Sequence, residues 1–341
     1  MENREREIRT ISENREERQD IQKTNTLDNE KELTVGLTTS ELQTPYPGFR
    51  DFVRQAFLRR NIPEAGIPIL LSSICEKTLK QYDSVFKKWW SYCSAENFNP
   101  FNYDLKISIN LLKTLVDEGL SYSSINMHKS ALSLVIRFPS KEDYIFKRFL
   151  KGIYNMTPPM PKYLTTWDPS LVLRYLEGLY SHENISLEKL VHKLVTLLAS
   201  TSAHRIQTIS LIKIENIIIK STVLEIKISD RIKTSGRDKN QPILRFPFFR
   251  EKPPLCVASL ISHYLERTNL LRPKNEERLI ITTKKPFRAA STQTLSRWIK
   301  NVLSLSGIDC NIFKGYSTRH AATSAAARDG LSVDAIRKTA G

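Results

Sequence analysis

The chain is short of most of the features that would name a function at once. Its 341 residues hold four cysteines (Cys75, Cys93, Cys256 and Cys310), far apart and with no CxxC pair. That pattern fits reduced thiols in an intracellular protein and argues against a zinc site or a disulfide frame. No run approaches the roughly 18 uninterrupted apolar residues of a membrane span, and the opening MENREREIRT lacks the apolar centre of a signal peptide. There is no GxxxxGK[ST] loop, no GxGxxG, no HExxH and no GxSxG. The six histidines (128, 182, 192, 204, 263 and 320) show no metal-ligand spacing, and no carboxylate cluster resembles a two-metal nuclease site. The expectation is a chain without cofactor, metal or membrane partner.

What is present in excess is positive charge. Lys and Arg number 52 against 36 Asp and Glu, a formal net charge of +16. Residues 1–45 hold 7 basic and 11 acidic side chains, so the remainder carries a net +20. A folded region this positive attracts a polyanion, with nucleic acid ahead of an anionic membrane surface. A basic surface that serves only solubility or ribosome-like packing has the same charge.

Residues 1–45 are polar and poor in aromatics, and read as a mostly disordered arm. From residue 46 to 156 the period is helical. In EKTLKQYDSVFKKWWSYCSAENF, Leu79, Tyr82, Phe86, Trp89 or Trp90, and Cys93 fall at steps of three and four, with at most one tryptophan facing outward. Similar stripes run through YDLKISINLLKTLVDEGL, SYSSINMHKSALSLVI and DYIFKRFLKGIYNM, giving four or five helices. The prolines of TPPMPKYLTTWDP cannot be helix interior and predict a linker over 157–168. Helices at 169–180 and 186–199 then give way to IKIENIIIK, TVLEIKIS and PILRFPFF, a small antiparallel sheet. Helices return at 255–267, 291–304, 316–329 and 332–340. The fold class is mainly α with a small antiparallel β-sheet, α+β, in a helical domain over 46–156 and a second domain over 169–341.

Cations stand where the chain turns. Arg205 follows an apolar helix in LLASTSAHRIQTISL, Lys233 lies at a Ser-Gly hairpin in ISDRIKTSGRDKNQ, and Arg319 opens a small-residue helix in GYSTRHAATSAAARDG. A helix N-terminus beside an arginine cradles phosphate, forked guanidiniums grip phosphoryl oxygens, and a lysine can protonate a leaving oxygen. For each arginine a helix cap or a surface ion pair is the alternative. Lys233 has rivals in Lys227, Arg231 and Lys239. In the first domain Lys80, Lys87, Lys88, His128 and Lys129 are candidate DNA contacts, with a solvated helix face as the alternative for the lysines. The cysteines read as buried apolar residues.

These stretches resemble the tyrosine recombinase, or phage-integrase-like, superfamily in the style of eukaryotic mobile elements. TSAHRIQTISL is similar to the family's first arginine box, usually TGxRxxEL. RIKTSG matches its β-hairpin lysine, and YSTRHAATSAAARDGLSVDAIRKTAG its second box, HxxRHxxAT…G…IxxxxG[HW]. The likeness covers about 160–341 and more weakly 50–155, the counterpart of the family's core-binding domain. It implies a clamp on double-stranded DNA, a homotetramer on DNA when complete, and strand breakage and rejoining through a 3′-phosphotyrosyl bond. Arg205 and Arg319 would then stabilise the charge on phosphorus and Lys233 would protonate the leaving 5′ oxygen. Three departures stand out. Tyr316 occupies the position of the box-II histidine, where its hydroxyl could replace the imidazole or merely pack in the core. His320 is the residue that commonly follows the arginine and reads as a packing residue. Thr208 replaces the usual Glu. No tyrosine follows Tyr316, so the resemblance implies a fragment or truncated gene that stops before the nucleophile. The rival expectation is a recombinase-derived DNA-binding protein without catalysis. A DNA substrate implies nuclear residence.

Overall fold

The computed structural model describes residues 45–237 and 240–340. The polar arm expected over 1–45, apart from its last residue, lies outside the described residues, as do Lys239 and Gly341. By its contacts the chain divides between Met160 and Pro161 into two compact units.

The first unit is helical: α1 (Phe49–Leu58), α2 (Ile67–Ser72), α3 (Glu76–Ala95), α4 (Leu105–Asp117), α5 (Tyr122–Val135) and α6 (Asp143–Met156). Among the described residues that is six helices where periodicity predicts four or five. The short α2, IPILLS, has too few turns to show a period. Asp104 caps α4 by accepting the Ile107 N–H, and Ser121 does the same for α5 at Ser124. Gly119, at φ +83°, ends the turn between them in a conformation that favours glycine. The α3 stripe packs inward through Leu79, Val85, Phe86, Trp89 and Cys93. Of the two tryptophans, Trp89 is the fully buried one, its indole N–H donating to the Pro100 carbonyl at 2.8 Å. Trp90 is half-buried and meets Phe52 edge-on.

Two expected DNA contacts are engaged within this unit, one of them in its core. His128 is 5 % exposed, and its Nδ1 lies 2.8 Å from the Ser124 carbonyl. Burial lowers its pKa, so the ring stays neutral and carries no charge to a phosphate. Lys129 is mostly buried, 2.8 Å from Asp143 and over the Phe138 ring, where it joins α5 to α6. The cysteines also need correction. Cys93 and Cys256 are buried, but Cys75 is exposed, because it precedes α3 at the open end of that helix.

The second unit comprises α7 (Pro169–Glu177), α8 (Leu187–Ser202), α9 (Ile206–Ser210), β1 (Ile217–Ile219), β2 (Val223–Lys227), β3 (Ile243–Pro247), α10 (Val257–Thr268), α11 (Thr292–Leu305), α12 (Ser317–Arg328) and α13 (Val333–Ala340). The strands form one antiparallel sheet in the order β1-β2-β3. Leu224 and Ile226 of β2 and Leu244 and Phe246 of β3 are buried, with more exposed residues between, as the two-residue repeat of a strand requires. Only three residues of IKIENIIIK form β1; a helical turn over Ile214–Asn216 takes the preceding part. Helix α8 is apolar nearly all round and buried along its length from Leu190 to Ala199, the mark of a central helix. Even Lys193 is buried there, its ammonium donating to the Leu179 carbonyl at 2.8 Å and its pKa pushed down to about 8 by burial.

The second half of the expected linker packs on this unit. The Trp167 indole donates to the Ser317 hydroxyl at 2.8 Å, and the Tyr163 ring lies 5.6 Å from Phe313 and 5.8 Å from His320. Among the described residues no helix is long and apolar enough to cross a membrane.

Lys129 and Lys147 both hold the Asp143 carboxylate and depress its pKa to about 2. A carboxylate with a depressed folded-state pKa stabilises above its unfolded value of about 3.9 and loses that stabilisation as pH falls toward 2. Asp143→Asn is therefore expected to flatten the acid limb of urea-unfolding stability between about pH 4 and pH 2. An unchanged acid limb would show that the two ion pairs add nothing to stability.

Candidate functional site

The site begins where α8 stops. Ala203 closes the helix in the left-handed region, at φ 51°, and the chain reverses within two residues. His204 follows, its backbone N–H donating to the Ser202 hydroxyl at 3.3 Å. Arg205 then caps the start of α9 in an extended conformation, and its carbonyl accepts the Thr208 N–H at 2.8 Å. This tight reversal presents Arg205, half-buried, at the end of the central helix. Thr208, standing where the resemblance places a glutamate, is 2 % exposed and has no charge with which to orient the arginine.

The other half of the site is the start of α12. Gly315 packs so closely on α11 that a Cβ there would lie 2.8 Å from the Ser296 carbonyl oxygen, closer than side-chain carbons come. The Thr318 hydroxyl donates back to the Gly315 carbonyl at 2.9 Å, and Trp167 holds Ser317. The helix start is thus anchored on both sides, and Arg319 stands in its first turn.

These two stretches, 114 residues apart in sequence, converge. Burial, and then the charge of Arg205, lower the pKa of Arg319, while Tyr316 acts in the opposite direction. Two guanidiniums close enough to feel each other repel. An anion between them reverses the sign of that term, and forked donors suit the oxygens of a phosphoryl group. Tyr316 is 44 % exposed beside Arg319, with its ring 5.4 Å from that of His320, so it is no core tyrosine. His320 is itself exposed at the surface of α12.

His204 is the residue that sequence reasoning missed. Its side chain is 5 % exposed, and burial together with Arg319 and Arg205 pushes its pKa down to about 4. The one signal in the sequence was a histidine set in the small-residue turn of STSAHR, directly before the arginine.

Lys233 lies in the excursion over 228–242 between β2 and β3. It occupies the second position of a turn closed by the Ser235 N–H on the Ile232 carbonyl at 3.0 Å. The Ser235 hydroxyl and the Gln241 amide brace that turn. Lys233 is exposed and, among the described residues, makes no ion pair. Its rival Lys227 ends β2, and Arg231 is exposed in the same excursion. In the first unit Lys80 is exposed, Lys87 pairs with Asp83 at 2.9 Å and Lys88 with Glu118 at 3.2 Å. Surface pairs of this kind contribute about 0–1 kcal/mol, so a phosphate can displace them. No group of three or more His, Cys, Asp or Glu that could hold a metal occurs among the described residues.

A helical unit followed by a helical unit with a three-stranded antiparallel sheet is a fold shared with solved tyrosine recombinases. Among solved structures, the XerH site-specific recombinase bound to difH substrate in a pre-cleavage complex is similar with a TM-score of 0.54 at 16 % identity, over 89 % of this chain and 78 % of that one. The Tn1549 transposon integrase in complex with transposon right end DNA is similar with a TM-score of 0.53 at 11 % identity, over 86 % of this chain and 90 % of that one. No family model matches the sequence. No curated protein matches it either.

Because Gly315 sits against the Ser296 backbone, Gly315→Ala is expected to destabilise the second unit by about 1–3 kcal/mol, the usual cost of overpacking. Urea unfolding of the variant checks this; wild-type stability would mean that α11 yields without cost.

Proposed function

We propose that this chain binds duplex DNA and that Arg205 and Arg319 together grip one backbone phosphate. The observation that carries the reading is the approach of these two guanidiniums on a fold shared with DNA-bound recombinases. The net charge of +20 over residues 46–341 supports the same partner, and the exposed Lys80, Lys87 and Lys88 would add contacts along the backbone.

In the fuller form of this reading the protein is a mobile element's recombinase that works in the nucleus as a tetramer on DNA. A tyrosine hydroxyl, giving up its proton to solvent, attacks the scissile phosphate, and the bond from phosphorus to the 5′ oxygen breaks as the 3′-phosphotyrosyl bond forms. Lys233 gives its proton to the departing 5′ oxygen. Arg205 and Arg319 neutralise the charge that builds on the phosphoryl oxygens, with the Tyr316 hydroxyl donating alongside. Donors of this kind each contribute on the order of 10²–10³ in rate.

The second reading is a DNA-binding protein without catalysis. It is favoured by Tyr316 in place of an imidazole and by the neutral, buried Thr208 in place of a carboxylate. No residue after Tyr316 is a tyrosine, so reading the gene past codon 341 and assaying the resulting protein for covalent attachment to a nicked duplex separates the two.

Gel-shift titration of residues 1–341 on duplex DNA is expected to show binding that weakens steeply with salt. Arg205→Ala and Arg319→Ala should each weaken it about tenfold, as loss of a charge-assisted hydrogen bond does. Each should also lower the slope of log affinity against log salt by about one. Binding that ignores Arg319→Ala would instead indicate a merely basic or RNA-associated protein. Absence of salt-sensitive duplex binding by the folded chain would end both DNA readings.

A further inference from the structure

We propose that the rings of Tyr316 and His320 form a stacking ledge beside the arginine pair, and that this site prefers DNA with an unpaired nucleotide next to the gripped phosphate. The inference rests on the reading of Arg205 and Arg319 as a phosphate grip and names the form of DNA that the grip takes best.

Three residues at the start of α12 carry the argument. Tyr316, Arg319 and His320 stand at steps of three and four, so they share one face of the helix. Tyr316 and His320 are both exposed, and their rings meet edge to face at 5.4 Å. Behind them the row runs inward. The Tyr163 ring is 5.8 Å from His320 and 5.6 Å from Phe313, which packs against the core of the second unit. The Tyr163 hydroxyl is buried and among the described residues has no hydrogen-bond partner, so ring contacts hold this tyrosine, with the Lys162 ammonium 5.6 Å from its centroid. The four rings are thus fixed at the inner end of the row and open at the outer end, where Tyr316 stands one helical turn from Arg319.

The occupant follows from these neighbours. A guanidinium pair selects an anion, and exposed rings beside it suit a nucleotide, whose phosphate meets the cations while its base lies on a ring. In a continuous duplex the base faces are stacked on one another, and only their edges reach a protein that holds the backbone. The Tyr316 ring then has sugar alone to touch. A nucleotide without a pairing partner can turn out and lay its base on Tyr316, with His320 backing that ring and the phosphate still between the arginines. Phosphate contact weakens with salt because it releases counterions, whereas a base–ring stack releases none, so one titration separates the two contributions.

The test is fluorescence anisotropy of residues 1–341 on two labelled probes, a fully paired duplex and the same duplex with one unpaired thymine, over a series of salt concentrations. Wild type is expected to bind the probe with the unpaired thymine about tenfold tighter, the yield of one base–ring stack. That ratio should hold within about twofold across the series while both affinities fall. Tyr316→Phe, which keeps the ring, should keep the ratio, and Tyr316→Leu should bring it to about one. Loss of a hydroxyl contact to phosphate weakens both probes alike and cancels in the ratio. His320→Leu, which removes the ring behind Tyr316, should lower the ratio about threefold. A wild-type ratio near one overturns the proposal, as does a ratio that survives in Tyr316→Leu or vanishes in Tyr316→Phe. If Tyr316→Leu fails to fold by circular dichroism, the phenylalanine variant and His320→Leu decide. Salt-sensitive, Arg319-dependent binding without preference for the unpaired thymine ends the ledge and leaves the grip. A preference that depends on Tyr316 and not on Arg319 ends the grip and leaves the ledge.

Discussion

Two positive side chains held within each other's field are the constraint on which the second unit is organised. Arg205 and Arg319 repel each other, so their mutual charge does not bring them together. Two structured elements carry them to the same place. On one side stands α8, buried along most of its length and ending in a reversal too short to relax. On the other stands the start of α12, pinned by the contact of Gly315 with the α11 backbone and by the Trp167 hydrogen bond to Ser317. The stability of the apolar core supplies the work of placing the charges, and His204 stays neutral between them.

The helical unit shows the opposite use of charge. Lys129 spends its ammonium on Asp143 and an aromatic face, and His128 spends its ring on a backbone carbonyl, so both serve cohesion. Lys80, Lys87 and Lys88 stay at the surface of the long α3, where a displaceable partner or none leaves them open to an anion. The same residue types thus divide into structural and available cations by burial, which composition does not report.

Much of the architecture was legible because it rests on period and punctuation. The α3 stripe and the β-branched and aromatic runs that become β2 and β3 are local patterns. Local patterns survive translation from sequence to fold when one face of an element must be buried. What failed was local as well, but ambiguous. IPILLS was too short to show its helical turn, IKIENIIIK held more β-branched residues than its strand uses, and the proline-rich stretch hid two aromatics that pack on the second unit. Of the site, the turns that carry Arg205, Lys233 and Arg319 could be marked from their neighbours. His204 escaped because a histidine beside an arginine reads like any other turn residue until the partners on both sides are known.

The sequence alone determined most of the helical and strand segments, the excess of positive charge and the presence of arginines at chain reversals, since each follows from residues adjacent along the chain. Only the tertiary structure decided which cations meet, which are spent on carboxylates and which imidazoles are kept neutral. Those outcomes depend on burial and on approaches between segments, from 14 residues apart for Lys129 and Asp143 to 114 for Arg205 and Arg319, and local patterns do not report them.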